Sequence, residues 1–194
     1  GNTSGWLYAS RSAGSWGNSL RVCTVDRGPQ QSLYLTTNPT APAAGTFVTS
    51  GIKKGKVIDT SNGTDGNLIV HVVIVDSTNN DSYVSWPQSN QKFADSDAVT
   101  MGGVSYTLKS SSGVDDGGEW YLKKELYEGS GVLWNSIAAR PGSSDDSIEF
   151  FGSIYGYDSI HVAIVDEDGL ISGAKNSILE AWTYMSKANN ARGP

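Results

Sequence analysis

The two histidines of the chain open nearly identical hexapeptides, HVVIVD from His71 and HVAIVD from His161, and each hexapeptide ends in an aspartate. Histidine and aspartate together can bind a metal ion or move a proton. Side chains alternate between the two faces of a strand, so residues five positions apart, such as His71 and Asp76 or His161 and Asp166, point to opposite faces. We interpret the hexapeptides as two buried strands with different flanks, and a metal site shared between His71 and His161 is the less favoured alternative.

Two other motifs of catalytic or nucleotide-binding proteins are incomplete. In GIKKGKV, Gly51 and Gly55 enclose three residues where a phosphate-binding loop needs four, and Val57 occupies the position of its magnesium-binding Ser or Thr. No serine has glycine both two positions before and two positions after it, as the nucleophile elbow of a serine hydrolase requires. The sequence therefore predicts neither kind of site.

Acidic residues cluster in three places, and the third cluster, Asp166-Glu167-Asp168, precedes Gly169 and resembles the start of a calcium loop. It lacks the third alternate ligand and the later glutamate of that loop, so a turn is the simpler interpretation. Cys23 is the single cysteine; it excludes a disulfide within the chain, and we expect it to be buried. We assign no catalytic, cofactor-binding or metal-binding residue and predict that the protein is not an enzyme.

Composition narrows the class of protein and its partners. The net charge is −6 and no window holds a dense Lys/Arg stripe, which argues against a nucleic-acid partner. No apolar run approaches the roughly 20 residues of a membrane span, so we expect no membrane insertion. The 23 glycines are spread along 194 residues, a pattern typical of short strands joined by turns.

Local patterns predict mainly strands, followed by one helix. The predicted strands cover 20–26, 55–60, 67–75 and 159–166, with a hairpin over 98–109. The segment ISGAKNSILEAWTYMSKANNA is predicted to be a helix, because Ser177 and Glu180 fit a capping box. At helical spacing, one face would carry four apolar residues, Ile178, Leu179, Trp182 and Met185.

These patterns predict an α+β fold, in which a mixed sheet packs against the C-terminal helix and an all-β meander or small barrel is inserted. Residues 1–27 and 132–194 would form the α+β core, and residues 28–131 the β-rich variable insertion. A chain of 194 residues is long enough for one core and a modest insert.

Two C-terminal stretches carry a family resemblance. LWNSIAARPGSS and, after an intervening loop, DSIHVAIVDEDGLISGAKNSILEAWTYMSKANNA closely resemble the tail sheath proteins of contractile-tailed bacteriophages. Near the N-terminus, AGSWGNSLRVCTVD is similar to a strand entry of that family, so the resemblance covers roughly 13–26 and 132–190. The matching positions are Trp134, Ser136-Ile137-Ala138, Arg140-Pro141-Gly142, Ile160-His161-Val162, Val165-Asp166, Gly169, Ser177, Leu179-Glu180 and Ser186-Lys187-Ala188.

The resemblance implies a virion structural protein without an active site or cofactor. Its parent would polymerise around the phage tail tube, assemble in the cytoplasm of the bacterial host, and contract to drive the tube through the host envelope for genome delivery. Its partners would be other sheath subunits and the tail tube protein. We expect this chain to be a fragment that lacks the terminal interlocking arms, and to be monomeric by itself.

Two alternatives stay open beside the sheath interpretation. The chain could be a glycan- or receptor-binding module of a phage tail fibre or baseplate, which predicts that Trp86 or Trp120 is exposed beside polar side chains. An enzyme that cleaves glycans would need two carboxylates about 5–10 Å apart in a cleft. A sheath of a related secretion system or contractile particle shares the same motifs and is not separated from a phage sheath by them.

Overall fold

The fold consists of two antiparallel sheets. The computed structural model describes residues 14–84, 87–142 and 158–187, and these contain eleven β-strands, one α-helix and two short 3-10 helices. The strands are β1 Leu20–Val25, β2 Gln31–Tyr34, β3 Phe47–Ser50, β4 Lys53–Asn62, β5 Leu68–Asp76, β6 Ser82–Tyr83, β7 Ala98–Met101, β8 Val104–Thr107, β9 Val114–Asp115, β10 Ser159–Asp166 and β11 Ser177–Ser186. Helix α1 is Gly118–Lys123, and the 3-10 helices are Ser15–Ser19 and Trp134–Ser136.

The larger sheet has eight strands and curls into a half-barrel. Its order is β8-β7-β3-β4-β5-β2-β9, with β6 paired to β5. A bridge between Leu35 and Leu108 brings the extension of β2, the strand beside β9, next to the extension of β8 from the other end of the curled sheet. Strand β5 is central and almost entirely buried, because apolar side chains occupy both of its faces.

The smaller sheet has the order β1-β10-β11. The inward side chains of β1 and β10 include Cys23, which lies opposite Ala163. They pack against residues from the segment that contains α1 and the second 3-10 helix, and so form a second core. Its buried members are Cys23, Val25, Tyr121, Leu126, Trp134, Ala163 and Val165.

The predicted α+β class is wrong. Strands make up 43% of the described residues and helical turns 9%, and no helix packs at the C-terminal end of the described chain, so the described fold is mostly β. The predicted mixed sheet is also wrong, since every strand pair among the described residues is antiparallel.

Within the segment predicted as the C-terminal helix, Ser177–Ser186 form strand β11, and residues 188–191 of that segment lie outside the described residues. The Ser177 hydroxyl donates to the carbonyl of Ala174 and does not cap a helix. Strand β10 has β1 on one side, and β11 satisfies the backbone groups on its other side, for example where Trp182 lies opposite Val162. Aromatic and β-branched residues favour strands, and a short apolar segment fits either period, so the tertiary pairing decided the outcome.

The chain passes from one sheet to the other twice among the described residues. The guanidinium group of Arg140 donates hydrogen bonds to the backbone at both of these crossings. Arg140 Nε donates to the carbonyl of Arg27 at 2.8 Å, and one terminal nitrogen donates to the carbonyl of Pro29; both carbonyls lie on the link from β1 to β2. The other terminal nitrogen donates to the carbonyl of Asp116, on the return from β9 to α1, at 2.8 Å. Because arginine presents its donors in a rigid planar fork, one side chain can satisfy all three acceptors.

We expect Arg140→Lys to lower the free energy of unfolding by about 3 kcal/mol, because a lysine ammonium cannot reach all three carbonyls and leaves part-buried acceptors unpaired. Urea denaturation followed by circular dichroism measures this loss. The matched control is Arg21→Lys, since Arg21 makes a half-exposed ion pair with Glu167 at 3.0 Å. The control should cost less than about 1 kcal/mol. Equal losses in the two variants would contradict the role of the Arg140 fork.

Candidate functional site

The structure places the two histidines in different sheets, His71 on β5 and His161 on β10. Each imidazole is buried and bonded on both nitrogens. His71 contacts the hydroxyls of Ser32 at 2.9 Å and Ser61 at 2.8 Å, whereas His161 contacts the carbonyl of Ala139 at 2.8 Å and the amide of Tyr184 at 3.0 Å. The histidines therefore act in separate hydrogen-bond networks and are not brought together as a pair.

The carboxylate of Asp166 is occupied by protein donors. It accepts hydrogen bonds from the hydroxyls of Ser19 and Ser172 and from the amides of Ile171 and Ser172. Burial by itself would raise the pKa of Asp166, but these hydrogen bonds outweigh burial and hold the pKa well below its usual range. Asp166 thus closes the loop after β10, as expected for a structural turn.

Within the described ranges, no group of three or more His, Cys, Asp or Glu side chains is placed to hold a metal ion. The Cys23 thiol is buried, as predicted, and burial raises its pKa. The structure therefore offers no metal cluster in this part of the chain, and Cys23 contributes to the second core.

A groove of about 540 Å³ lies between α1 and the half-barrel. Its lining mixes aromatic, acidic and basic side chains, among them Tyr34, Asp59, Ser61, Glu119, Trp120 and Lys124. This composition bears on the glycan-binding alternative, because Trp120 is half-buried and stands beside polar groups. Trp86, the other tryptophan named for that alternative, lies outside the described residues.

The contacts of Trp120 are with the protein itself. Its indole N–H donates to Asp59 at 2.9 Å, and the Lys124 ammonium lies 4.9 Å from its ring centroid. A Cβ atom at Gly28 would stand 2.1 Å from the indole, so the backbone of the first crossing packs directly on the ring. Trp120 therefore anchors α1 to the half-barrel, and the ring is not an open stacking platform for a sugar.

Strand β11 is an edge strand that exposes several apolar side chains. It spans ten residues at the edge of the smaller sheet, and no described strand pairs with its outer side. Ile178, Trp182, Tyr184 and Met185 are 37–47% exposed. Proteins usually protect edge strands with charges, proline or short length, but β11 has one charged residue, Glu180, and no proline.

The apolar surface of β11 continues onto the outer face of the smaller sheet. Residues directly opposite each other on neighbouring strands share a face, so the pairs Trp182–Val162 and Met185–Ile160 place apolar side chains side by side there. This outer face also carries Thr24 and Glu180, and none of its apolar residues is fully buried: Leu20, Val22, Ile160, Val162, Ile164, Trp182 and Met185. We call this set, together with the edge of β11, the β11 surface.

The sequence pattern named four apolar residues of β11 and predicted that they form the packed face of a helix. In the structure they lie on a strand: Ile178, Trp182 and Met185 are exposed, and Leu179 is half-buried. The pattern of HVAIV, apolar on both faces, did indicate that the strand needs cover on two sides. The second core covers its inner side, and the outer side belongs to the β11 surface.

The chain matches no protein-family model, no curated protein and no solved structure. Among the described residues, no helix is both long and apolar enough to cross a membrane.

His71 should make stability depend on pH. Burial lowers the pKa of His71 from 6.5 to about 4. Between these values the unfolded chain binds a proton that the folded protein does not, so stability is lost as the pH falls from about 6.5 to about 4. The size of this loss is about 3 kcal/mol.

Chemical denaturation at a series of pH values tests this dependence. His71→Asn should remove the part of the pH dependence of the unfolding free energy that comes from His71, because asparagine does not titrate. Ser61→Ala is the control, since it removes one hydrogen bond to the ring but keeps the titrating imidazole and hence the slope. If the wild type and His71→Asn gave parallel pH curves, His71 would not be the source.

Proposed function

We propose that this chain is part of the structural subunit of a contractile phage tail sheath, which polymerises around the tail tube and contracts to drive it through the host envelope. The observation that carries the proposal is the β11 surface, an apolar edge strand and sheet face in the region that resembles the sheath family. Such a surface is suited to a neighbouring strand, which would pair with the edge of β11 and cover the apolar side chains.

The residues that carry the resemblance support a structural role. Trp134 is buried in the second core, and Arg140 fastens both crossings between the sheets. His161 and Asp166 are buried and fully occupied by contacts within the chain. These side chains build the smaller sheet and its attachment, which is what a scaffold needs and differs from a set of groups that converge on a substrate.

The proposed partners are other copies of the same subunit and the tail tube protein. Subunits would associate in the host cytoplasm and function in the phage tail, with work coming from repacking between two assembled states rather than from chemistry. The 194-residue chain alone is proposed to be monomeric.

The glycan-binding alternative has weaker support. The groove beside α1 holds the half-buried Trp120, but the indole is engaged by Asp59, Lys124 and the backbone at Gly28. A sugar would have to displace contacts that connect α1 to the half-barrel. We therefore do not propose this function.

The test is negative-stain electron microscopy of the complete gene product that contains this chain, expressed alone. We expect hollow tubes with a regular helical repeat, because the β11 surfaces would be covered by neighbouring subunits. Dispersed single particles under all assembly conditions would contradict the proposal.

A pair of variants of the same product tests the surface itself. Trp182→Lys places a charge on the β11 surface and should abolish tubes while circular dichroism shows an unchanged fold. Val104→Lys is the matched control, since Val104 is 53% exposed on a hairpin of the half-barrel, away from β11. Loss of tubes in both variants, or in neither, would argue against assembly through β11.

A further inference from the structure

The imidazole of His161 joins three segments through two backbone groups. It is 0% exposed; Nδ1 lies 3.0 Å from the amide nitrogen of Tyr184 on β11, and Nε2 lies 2.8 Å from the carbonyl oxygen of Ala139. An amide can only donate and a carbonyl can only accept. The geometry therefore requires the neutral tautomer, with its proton on Nε2 and a lone pair on Nδ1.

Tyr184 has an unfavourable backbone conformation at this contact. Its φ is 58°, in the left-handed region that aromatic residues rarely adopt. The pairing of β10 and β11 shifts register between Ile160 and Val162, so the chain bulges here and the Tyr184 amide turns toward the imidazole. Such a conformation costs about 1–2 kcal/mol, and the hydrogen bond to His161 helps to offset it.

We propose that His161 is a pH-sensitive latch on strand β11: the neutral imidazole holds the bulge at Tyr184, and protonation releases it. A proton added at Nδ1 would face the Tyr184 N–H, so two donors would oppose each other at 3.0 Å. Neither backbone group can change its role. The charged ring must therefore break the contact with Tyr184, and the end of β11 beyond Trp182, residues 183–186, is freed from the bulge.

The surroundings of His161 do not provide another way to accommodate the charge. The Tyr184 phenol is the titratable group in contact with the ring, at a centroid distance of 4.6 Å, and the Trp134 indole lies at 6.3 Å. On β11, Glu180 lies opposite Ile164 and so on the other face of the sheet from His161. Other charged and phenolic side chains of the adjoining segments are engaged with other groups. Arg140 binds the carbonyls at the crossings, Lys187 pairs with Asp26, Asp158 accepts from Ser186, and Tyr121 donates to Ala138.

The surroundings of the other histidine, His71, differ from those of His161 in the kind of hydrogen-bond partner. His71 also has two partners, but both are serine hydroxyls, on Ser32 and Ser61, and a hydroxyl can donate or accept. Protonation of His71 can therefore be met by rotation of the hydroxyls, without movement of the backbone. The chain thus contains one histidine coupled to a strand conformation and one that is not.

The released end of β11 carries Tyr184 and Met185, which belong to or flank the β11 surface. If the proposed sheath function holds, acid would change the edge on which a neighbouring subunit docks; this consequence rests on that proposal. The latch itself does not rest on the proposed function, because it is a property of the single chain.

Nuclear magnetic resonance on the 194-residue chain tests the latch. At neutral pH, the ring nitrogen shifts of His161 should report the tautomer protonated on Nε2. Amide exchange, corrected for its intrinsic rate, measures the opening equilibrium at Tyr184. This equilibrium should rise severalfold as the pH is lowered from about 7.5 to about 5, because protonation of the ring opposes the Tyr184 N–H. Amides of β5 should stay protected over the same range.

His161→Asn is the matched variant, because its side-chain oxygen can accept from the Tyr184 amide but does not titrate. It should keep the Tyr184 amide protected and remove the pH dependence, and it leaves His71 as the only histidine for assignment. If the variant does not fold, the tautomer and the amide-exchange data of the wild type are sufficient to test the latch. A ring protonated on Nδ1 at neutral pH, or Tyr184 opening that stays independent of pH until global unfolding, would overturn the latch. Neither result depends on whether tubes form.

Discussion

The architecture depends on how three backbone carbonyls are satisfied where the chain passes between its sheets. The link after β1 and the return before α1 both run through a part-buried junction, and a carbonyl left without a donor there would destabilise either crossing. Arg140 supplies three donors from one planar group, so the two crossings are held at a fixed spacing. Gly117 packs against the same junction, where a Cβ would stand 2.5 Å from the carbonyl oxygen of Pro29.

With the junction fixed, the smaller sheet has an inner side that is covered and an outer side that is not. The second core fills the inner side with Trp134, Tyr121 and their neighbours, whereas the outer side is mainly apolar and its side chains are only partly buried. A sheet with two mainly apolar faces and a long edge strand that carries a single charge is unusual for a chain that acts alone. This imbalance, rather than any cluster of reactive groups, is the feature that the proposed assembly explains.

The candidate site was visible in the sequence only in part. The strands around Cys23, His71 and His161 follow from runs of β-branched residues, and each of them is a strand in the structure. The segment from Ser177 to Ser186 satisfies a helical period and a capping pattern, yet it is a strand, because the unpaired side of β10 offers it a full set of backbone partners. That pairing also reverses the environment of Trp182 and Met185, from a predicted core face to a surface.

The sequence alone determined the local properties: which segments are apolar on both faces, where turns break them, that Cys23 lies in a strand, and that each His and its Asp point to opposite sides. These properties depend on spacing within a few residues, so periodicity is enough to read them. Only the tertiary structure decided that His71 faces two hydroxyls while His161 faces an amide and a carbonyl, and that Arg140 reaches both crossings. Those contacts join residues up to 113 positions apart, and their geometry depends on the packing of whole sheets, which no local pattern encodes.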